Sequence, residues 1–416
     1  MTDPFKDGLE RREANFQPLT PLVFLARAAD VMPDHTAIIH GSSAWTYAMF
    51  YRRSRRLASA IAERDIGRGD AVSVLLPNVP AMLEAHHGVP MSGAVLHAIN
   101  TRLDAATIAF QLDHCKSRML IVDRALLSLA EAALELCEVT PALVLYDDPE
   151  WNSASDADRL VQPVLSADRW QDYEDMISRG DPNFEWLMPQ DEWDAIAISY
   201  TSGTTGDPKG VVTHHRGAYL LAQGNALIAT MPRHATYLWT LPMFHCNGWC
   251  FPWTLSVLFG THVCLREVRA EPIWQALAEH DVTHLCGAPP VMALLVSTPG
   301  AERKALARTV EFFTAAAPPP RPTLAGMEQA GFNVTQLYGL TETYGPAVVN
   351  EWHKEWDSLN LDDRTVLKAR QGVRYLPLES LAVLDPETLD PVPHDGETLG
   401  EVLFRGIVVM KGYFRN

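Results

Sequence analysis

The sequence predicts an α/β protein: two stacked, doubly wound, mostly parallel sheets with flanking helices, followed by a small distorted β-barrel. Three observations predict it. Short apolar runs alternate with amphipathic helical patterns from Ala71 to Tyr146. The alternation stops in a polar stretch, Asp147–Asp191, and restarts at Ala195. After Tyr344 the segments become short and β-like, separated by Pro- and Gly-containing turns. Strands separated by helices indicate parallel βαβ units, and two such series indicate two layers.

The elements follow in order. Ala71–Leu76 reads as a buried strand, Pro80–His87 as a helix and Ala94–Ala98 as a strand. Ala105–His114 has helical spacing, Met119–Val122 is a strand, Ala125–Cys137 a helix and Ala142–Tyr146 a strand. The polar stretch carries one helix near Trp170–Ser178. Strands are then expected at Ala195–Tyr200, Ala235–Leu241, His262–Leu265, His284–Gly287 and Val310–Ala315. Helices are expected at Arg216–Ala226, Phe251–Phe259 and Pro272–His280. Residues 71–212 thus form a first layer, 20–70 with 213–345 a second, and 346–416 a β subdomain with strands at Ser380–Leu384 and Gly400–Phe404.

Composition narrows the function. The 416 residues carry a formal net charge of −17, which repels phosphate backbones and argues against nucleic acid as a partner. Six cysteines are scattered without a paired framework, and the N-terminus is polar, so a cytoplasmic location is expected. Leu241–Leu265 has no Asp, Glu, Lys or Arg, but Pro242, Asn247, Pro252 and Gly260 would break a spanning helix; no membrane span is expected. His245, Cys246 and Cys250 lie in this apolar run, where a free cysteine packs more readily than it binds zinc.

The chemistry concentrates in Tyr200–Val212, YTSGTTGDPKGVV, after a predicted strand. Gly203, Gly206 and Gly210 allow close backbone approach to a ligand. Thr201, Ser202, Thr204 and Thr205 add hydroxyls, and Lys209 adds a point charge; successive N–H groups in such a loop bind anions. This combination suits a polyphosphate, although the GxxxxGK[ST] spacing of a Walker A loop is absent.

This loop resembles the signature of the AMP-forming acyl-CoA synthetases, the adenylate-forming enzymes. Leu241–Trp249 (LPMFHCNGW), Gln336–Thr343 (QLYGLTET), Gly400–Gly406 (GEVLFRG) and Lys411–Phe414 (KGYF) resemble further motifs of that family in the same order. The resemblance covers the chain from about Thr20 and makes 1–416 a large N-terminal adenylation domain. It implies a reaction in two halves: a carboxylate attacks ATP to give acyl-AMP and pyrophosphate, and coenzyme A then takes the acyl group and releases AMP. The resemblance carries roles with it. Gly203, Thr204, Thr205, Gly206 and Lys209, beside Ser202, would hold phosphates. Thr201 and Glu342 would hold Mg²⁺, a hard ion that takes oxygen ligands. Thr341 would contact the α-phosphate. Tyr338 would lie against adenine, with Gln336, Gly339 and the Ala316-Ala317-Pro318 turn shaping the wall. His245, Trp249 and Ala316 would border the acyl pocket. The implied partners are ATP, coenzyme A and a small carboxylic acid, with a homodimer left open.

Arg370–Gly372 and Glu351–Trp356 (EWHKEW) resemble the short- and medium-chain synthetases, including methylthiopropionate ligases, so the expected acid is short to medium, apolar or thioether-bearing. A peptide-synthetase adenylation domain is the alternative; it usually has Asp after the aromatic of the second motif, where this chain has His245 after Phe244. Two departures stand out. Ala316 replaces a glycine usual at that place, and its methyl restricts φ > 0. The family's ribose-binding Thr-Gly-Asp, hinge and C-terminal domain with a catalytic lysine are not among these 416 residues, so this chain by itself is expected to bind nucleotide but to be inactive. A nucleotide-binding fragment is therefore a second alternative.

Overall fold

The computed structural model describes residues 5–153, 169–201 and 207–415. Two large sheets dominate. The first has eight strands in the spatial order Gly412–Tyr413, Lys209–His214, Ala195–Thr201, Val95–Ala98, Ala71–Leu75, Ser117–Asp123, Ala142–Tyr146 and Gln171–Asp172. The six from Ala195–Thr201 to Gln171–Asp172 pair in parallel, and the two at the other edge are antiparallel. All five residues of Ala71–Leu75 are buried, as expected for a strand covered on both faces.

The second sheet has nine strands. Their order is Val373–Arg374, Gly345–Val349, Phe332–Leu340, Val310–Thr314, His284–Cys286, Thr236–Leu238, Thr261–Val263, Thr36–His40 and Ser43–Thr46. Its centre is parallel and both edges turn antiparallel.

Beyond residue 346 the structure differs from a small barrel. Gly345–Val349 and Val373–Arg374 extend the nine-stranded sheet, and Gly412–Tyr413 closes the edge of the other. Among the described residues of this region, only Leu378–Leu384 and Glu401–Gly406 form a separate sheet, a two-stranded antiparallel hairpin. The physical reason lies in sheet edges: Gly345–Val349 and Gly412–Tyr413 satisfy their backbone groups on existing strands rather than in a closed unit.

The helix Pro80–Met91 has every residue buried. Its interior position explains how Glu84, His86 and His87 come to be enclosed. Glu84 is satisfied by Arg53 and by the Tyr173 hydroxyl at 2.6 Å. Ala105–His114 forms as expected because Asp104 caps it, accepting from the Thr107 N–H at 2.9 Å. One core cluster joins both sheets, including Leu96 and Ile196 from the first and Ile38 and Tyr237 from the second. A buried polar cluster ties them as well. Arg266 bridges Asp123 at 2.6 Å and Asp148 at 2.7 Å, and His40 meets Asp148 at 2.8 Å. Desolvation alone would raise the Asp148 pKa, but the His40 hydrogen bond and the charges of His40 and Arg266 outweigh it and lower it.

The apolar run Leu241–Leu265 contains one α-helix, Phe251–Leu258, and one strand, Thr261–Val263. Before the helix the chain makes a left-handed turn. Cys246, Asn247, Gly248, Trp249 and Cys250 all have positive φ, between 43° and 63°. Left-handed conformation costs about 1–2 kcal/mol per non-glycine residue, so surrounding packing must hold this turn. The Asn225 amide does so at the Trp249 carbonyl (2.7 Å), and the Ser199 hydroxyl at Asn247 Oδ1 (2.6 Å). Among the described residues no helix is long and apolar enough to cross a membrane.

Candidate active site

The site lies where the C-terminal ends of the central strands face the Lys209 hairpin. Thr201 ends its strand and pairs with Lys209 across that hairpin. Ser202, Gly203, Thr204, Thr205 and Gly206 lie outside the described residues. The turn Thr341–Thr343 packs against both hairpin strands, and Thr341 lines one cavity with Thr201. Glu342 Oε1 accepts from the Tyr413 hydroxyl at 2.8 Å, and this bond raises the Tyr413 pKa. The Lys209 ammonium lies 5.0 Å from the centre of the Tyr413 ring.

Two cavities meet here. The more polar one, about 510 Å³, is lined by Gln111, Ser199, Tyr200, Thr201, His245 and Thr341, among others. The more apolar one, about 400 Å³, is lined by Leu241, Trp249, Val268, Val291, Ala315 and Pro346, among others. Asn100, Phe244, His245 and Cys246 belong to both walls. Cys246 is buried, and its Sγ lies 3.5 Å from Thr341 Oγ1. His245 opens onto the cavities, yet the surrounding protein displaces enough water to lower its pKa, which favours the neutral imidazole.

The adjacent strand ends carry the other expected residues. Gln336 is buried and pairs in register with Thr314. The Gln336 side-chain N–H donates to the Leu337 carbonyl at 3.1 Å, while Gln336 Oε1 and Thr314 Oγ1 are buried with no partner among the described residues. Buried polar atoms are normally satisfied, so this pair fits a ligand-facing role. Tyr338 is half-buried, with its ring 6.0 Å from Phe404. Gly339 sits at a strand irregularity where a Cβ would come 1.9 Å from the Gly345 carbonyl oxygen; no larger residue fits. Ala316 adopts φ +80° with its methyl in place, so the turn keeps the glycine-like conformation at some strain and lines the apolar cavity. Ala317 and Pro318 follow on the exposed surface. Arg370, in the subgroup motif, rests on the Trp356 ring at 5.0 Å.

Hard oxygen donors suit Mg²⁺, and Thr201 and Glu342 supply a hydroxyl and a carboxylate with Oε2 free of hydrogen-bond partners among the described residues. Two contributors had no assigned role in the motif reading: Tyr413, inside the KGYF motif, and Cys246, inside the second motif.

Residues 25–414 match the family described as AMP-binding enzyme. The chain belongs to the AMP-binding enzyme family. It is an enzyme of the AMP-forming acyl-CoA ligase class, whose cofactors and co-substrates are ATP, Mg²⁺ and coenzyme A with a small-molecule acid. It is 49% identical to a peroxisomal acetate/butyrate–CoA ligase of Arabidopsis thaliana over 99% of this chain and 72% of that protein. It is 44% identical to a 2-methylpropanoate–CoA ligase of Humulus lupulus over 99% of this chain and 73% of that one. An anthranilate–CoA ligase crystal structure shares the fold, with a TM-score of 0.80 at 18% identity over 98% of this chain and 73% of that chain.

Proposed function

We propose that the protein activates a short- or medium-chain carboxylic acid as its adenylate and transfers it to coenzyme A. The observation that carries this reading is the junction of the two cavities. A polar cleft of about 510 Å³ and an apolar one of about 400 Å³ share the wall Asn100, Phe244, His245 and Cys246, with Thr341 beside it. In this reading the acid's tail occupies the apolar cavity and its carboxylate lies at the shared wall. Lys209 and the hydroxyl-rich loop carry the phosphates, and Thr341 orients the α-phosphate. Thr314 and Gln336 offer their unpartnered atoms to the nucleotide, and Tyr338 takes the adenine face. Glu342 and Thr201 hold Mg²⁺, which neutralises phosphate charge when bound. A neutral His245 borders the carboxylate without adding a charge that would bind substrate and transition state alike.

The wall supports a short acid: Trp249 and Phe244 fill space that a long tail would need. The relatives named for acetate, butyrate and 2-methylpropanoate agree with that size. The test is a panel of acids in a pyrophosphate-release assay paired with thioester detection. Acetate through hexanoate, 3-methylthiopropionate, cinnamate, palmitate and amino acids form the panel. Highest kcat/KM among four- to six-atom apolar acids is expected. A maximum at palmitate, or at an amino acid, removes this reading, and the latter favours the peptide-synthetase alternative. A cytoplasmic location is part of the proposal, supported by six unpaired cysteines; a tagged protein found in peroxisomes would overturn it.

A further inference from the structure

Tyr413 stands apart among the residues around the site, because it touches two groups of opposite charge and has no role in the reaction described above. Its hydroxyl donates to Glu342 Oε1 at 2.8 Å, and its ring lies 5.0 Å from the Lys209 ammonium. The phenol is held from behind by backbone. Tyr413 pairs with Val211 on the Lys209 strand, the Lys411 N–H donates to Val212 at 2.8 Å and the Phe414 N–H to Gly210 at 2.7 Å. The Met410 N–H donates to the Glu342 carbonyl at 2.8 Å, so the same segment grips the backbone of the carboxylate it orients. Phe414 turns to the other side and meets the His114 ring at 5.6 Å, anchoring the segment.

We propose that Tyr413 is a positioning residue of the metal–nucleotide site: its hydroxyl fixes the Glu342 carboxylate and its ring supports Lys209. This rests on the assignment of Glu342 to the metal and Lys209 to phosphate made above. With Oε1 occupied by the phenol, the rotation of Glu342 is restrained and Oε2 is the oxygen left for a hard cation. A carboxylate held in place before the ligand arrives loses less conformational freedom on binding. The ring attracts the ammonium through its π face and keeps it on the hairpin rather than free in solvent. One side chain thereby sets both the anionic and the cationic half of the site.

The two contacts separate by mutation. Tyr413→Phe keeps the ring and loses only the hydroxyl; Tyr413→Leu loses both. Mn²⁺ binding to the enzyme with a non-hydrolysable ATP analogue, read by electron paramagnetic resonance, reports the metal site without turnover. Calorimetric titration of AMP, which carries neither the metal nor the β,γ-phosphates, serves as the reference. Tyr413→Phe is expected to weaken Mn²⁺ binding about tenfold, the scale of one hydrogen bond to a charged group. AMP affinity and melting temperature should stay near the wild-type values. In a Glu342→Ala background, which removes the acceptor, Tyr413→Phe should add no further loss. Tyr413→Leu should weaken the ATP analogue beyond Tyr413→Phe, through Lys209. Wild-type Mn²⁺ binding by Tyr413→Phe alongside weakened binding by Glu342→Gln overturns the inference alone. Wild-type binding by Glu342→Gln overturns the metal assignment beneath it. An equal loss of AMP and Mn²⁺ affinity in Tyr413→Phe means a merely structural role and also overturns the inference.

Discussion

Trp249→Ala tests the apolar cavity as the seat of the acyl tail. The indole is buried, lines the cavity of about 400 Å³ and stands against Gly345, where an added Cβ would lie 3.2 Å from the ring. Gly345 has no side chain that could swing in to refill the space. Alanine therefore leaves a void that a longer acid can enter. Each methylene removed from water contributes about 0.8 kcal/mol, so two extra methylenes contribute about 1.6 kcal/mol. At 1.36 kcal/mol per tenfold this is a change of about 15-fold in the kcat/KM ratio of hexanoate to butyrate. Substrate competition with thioester products resolved by chromatography measures the ratio directly. The same void costs the protein without acid stability, about 3–5 kcal/mol for a large aromatic removed from a core, so circular dichroism must first show a folded sample. A folded Trp249→Ala enzyme with the wild-type hexanoate-to-butyrate ratio refutes the placement of the tail.

Three further outcomes are expected. Lys209→Ala and Glu342→Ala should each lower the pyrophosphate-release rate by about 10²–10³, and unchanged kinetics in both would remove the phosphate and metal assignments. Thr314→Val removes an unpartnered buried oxygen and should raise the melting temperature of the ligand-free protein while weakening ATP in calorimetry; a loss of stability would mean that the hydroxyl has a partner in the protein. Burial lowers the pKa of His86 and His97 to about 4 and of His262 to about 3, with His87 also lowered. The unfolded chain thus binds more protons below about pH 6.5, and stability should fall as pH drops from there toward 4 and 3, by about 1.4 kcal/mol per pH unit for each such group. Urea titrations at pH 7, 6 and 5 measure it, and a midpoint independent of pH contradicts the neutral burial of this histidine group.

Local pattern carried much of the fold. Ala105–His114 and Ala142–Tyr146 were readable to the residue, because a cap and a continuous apolar run mark them. The helix Tyr47–Ala62 is obscured in the sequence: Arg52, Arg53, Arg55 and Arg56 mask its apolar stripe, and its buried side is made partly of Ala and Ser. The strand Phe332–Leu340 is not marked by its sequence, because its C-terminal half is the QLYGL motif with a glycine at Gly339, and Gly345–Val349 is not because its partner lies across a tight turn. In the site, residue types within one motif were legible, whereas contacts between motifs were not. Tyr413 lies 71 residues from Glu342, and no periodicity links them. The left-handed turn at Cys246–Cys250 is equally hidden in the sequence, since only Asn247 and Gly248 among its five residues favour such a backbone.

That turn has a consequence for redesign. Trp249 and Cys246 face the acyl cavity from a backbone that β-branched side chains tolerate poorly, so Val, Ile or Thr there would tax folding before altering selectivity. Val268, Val291 and Ala315 line the same cavity at ordinary negative φ. Libraries that seek a new acyl preference would therefore sample size freely at those three positions and restrict the turn to unbranched replacements. Shape can be rewritten from one side of the cavity, while the other is bound to its unusual main chain.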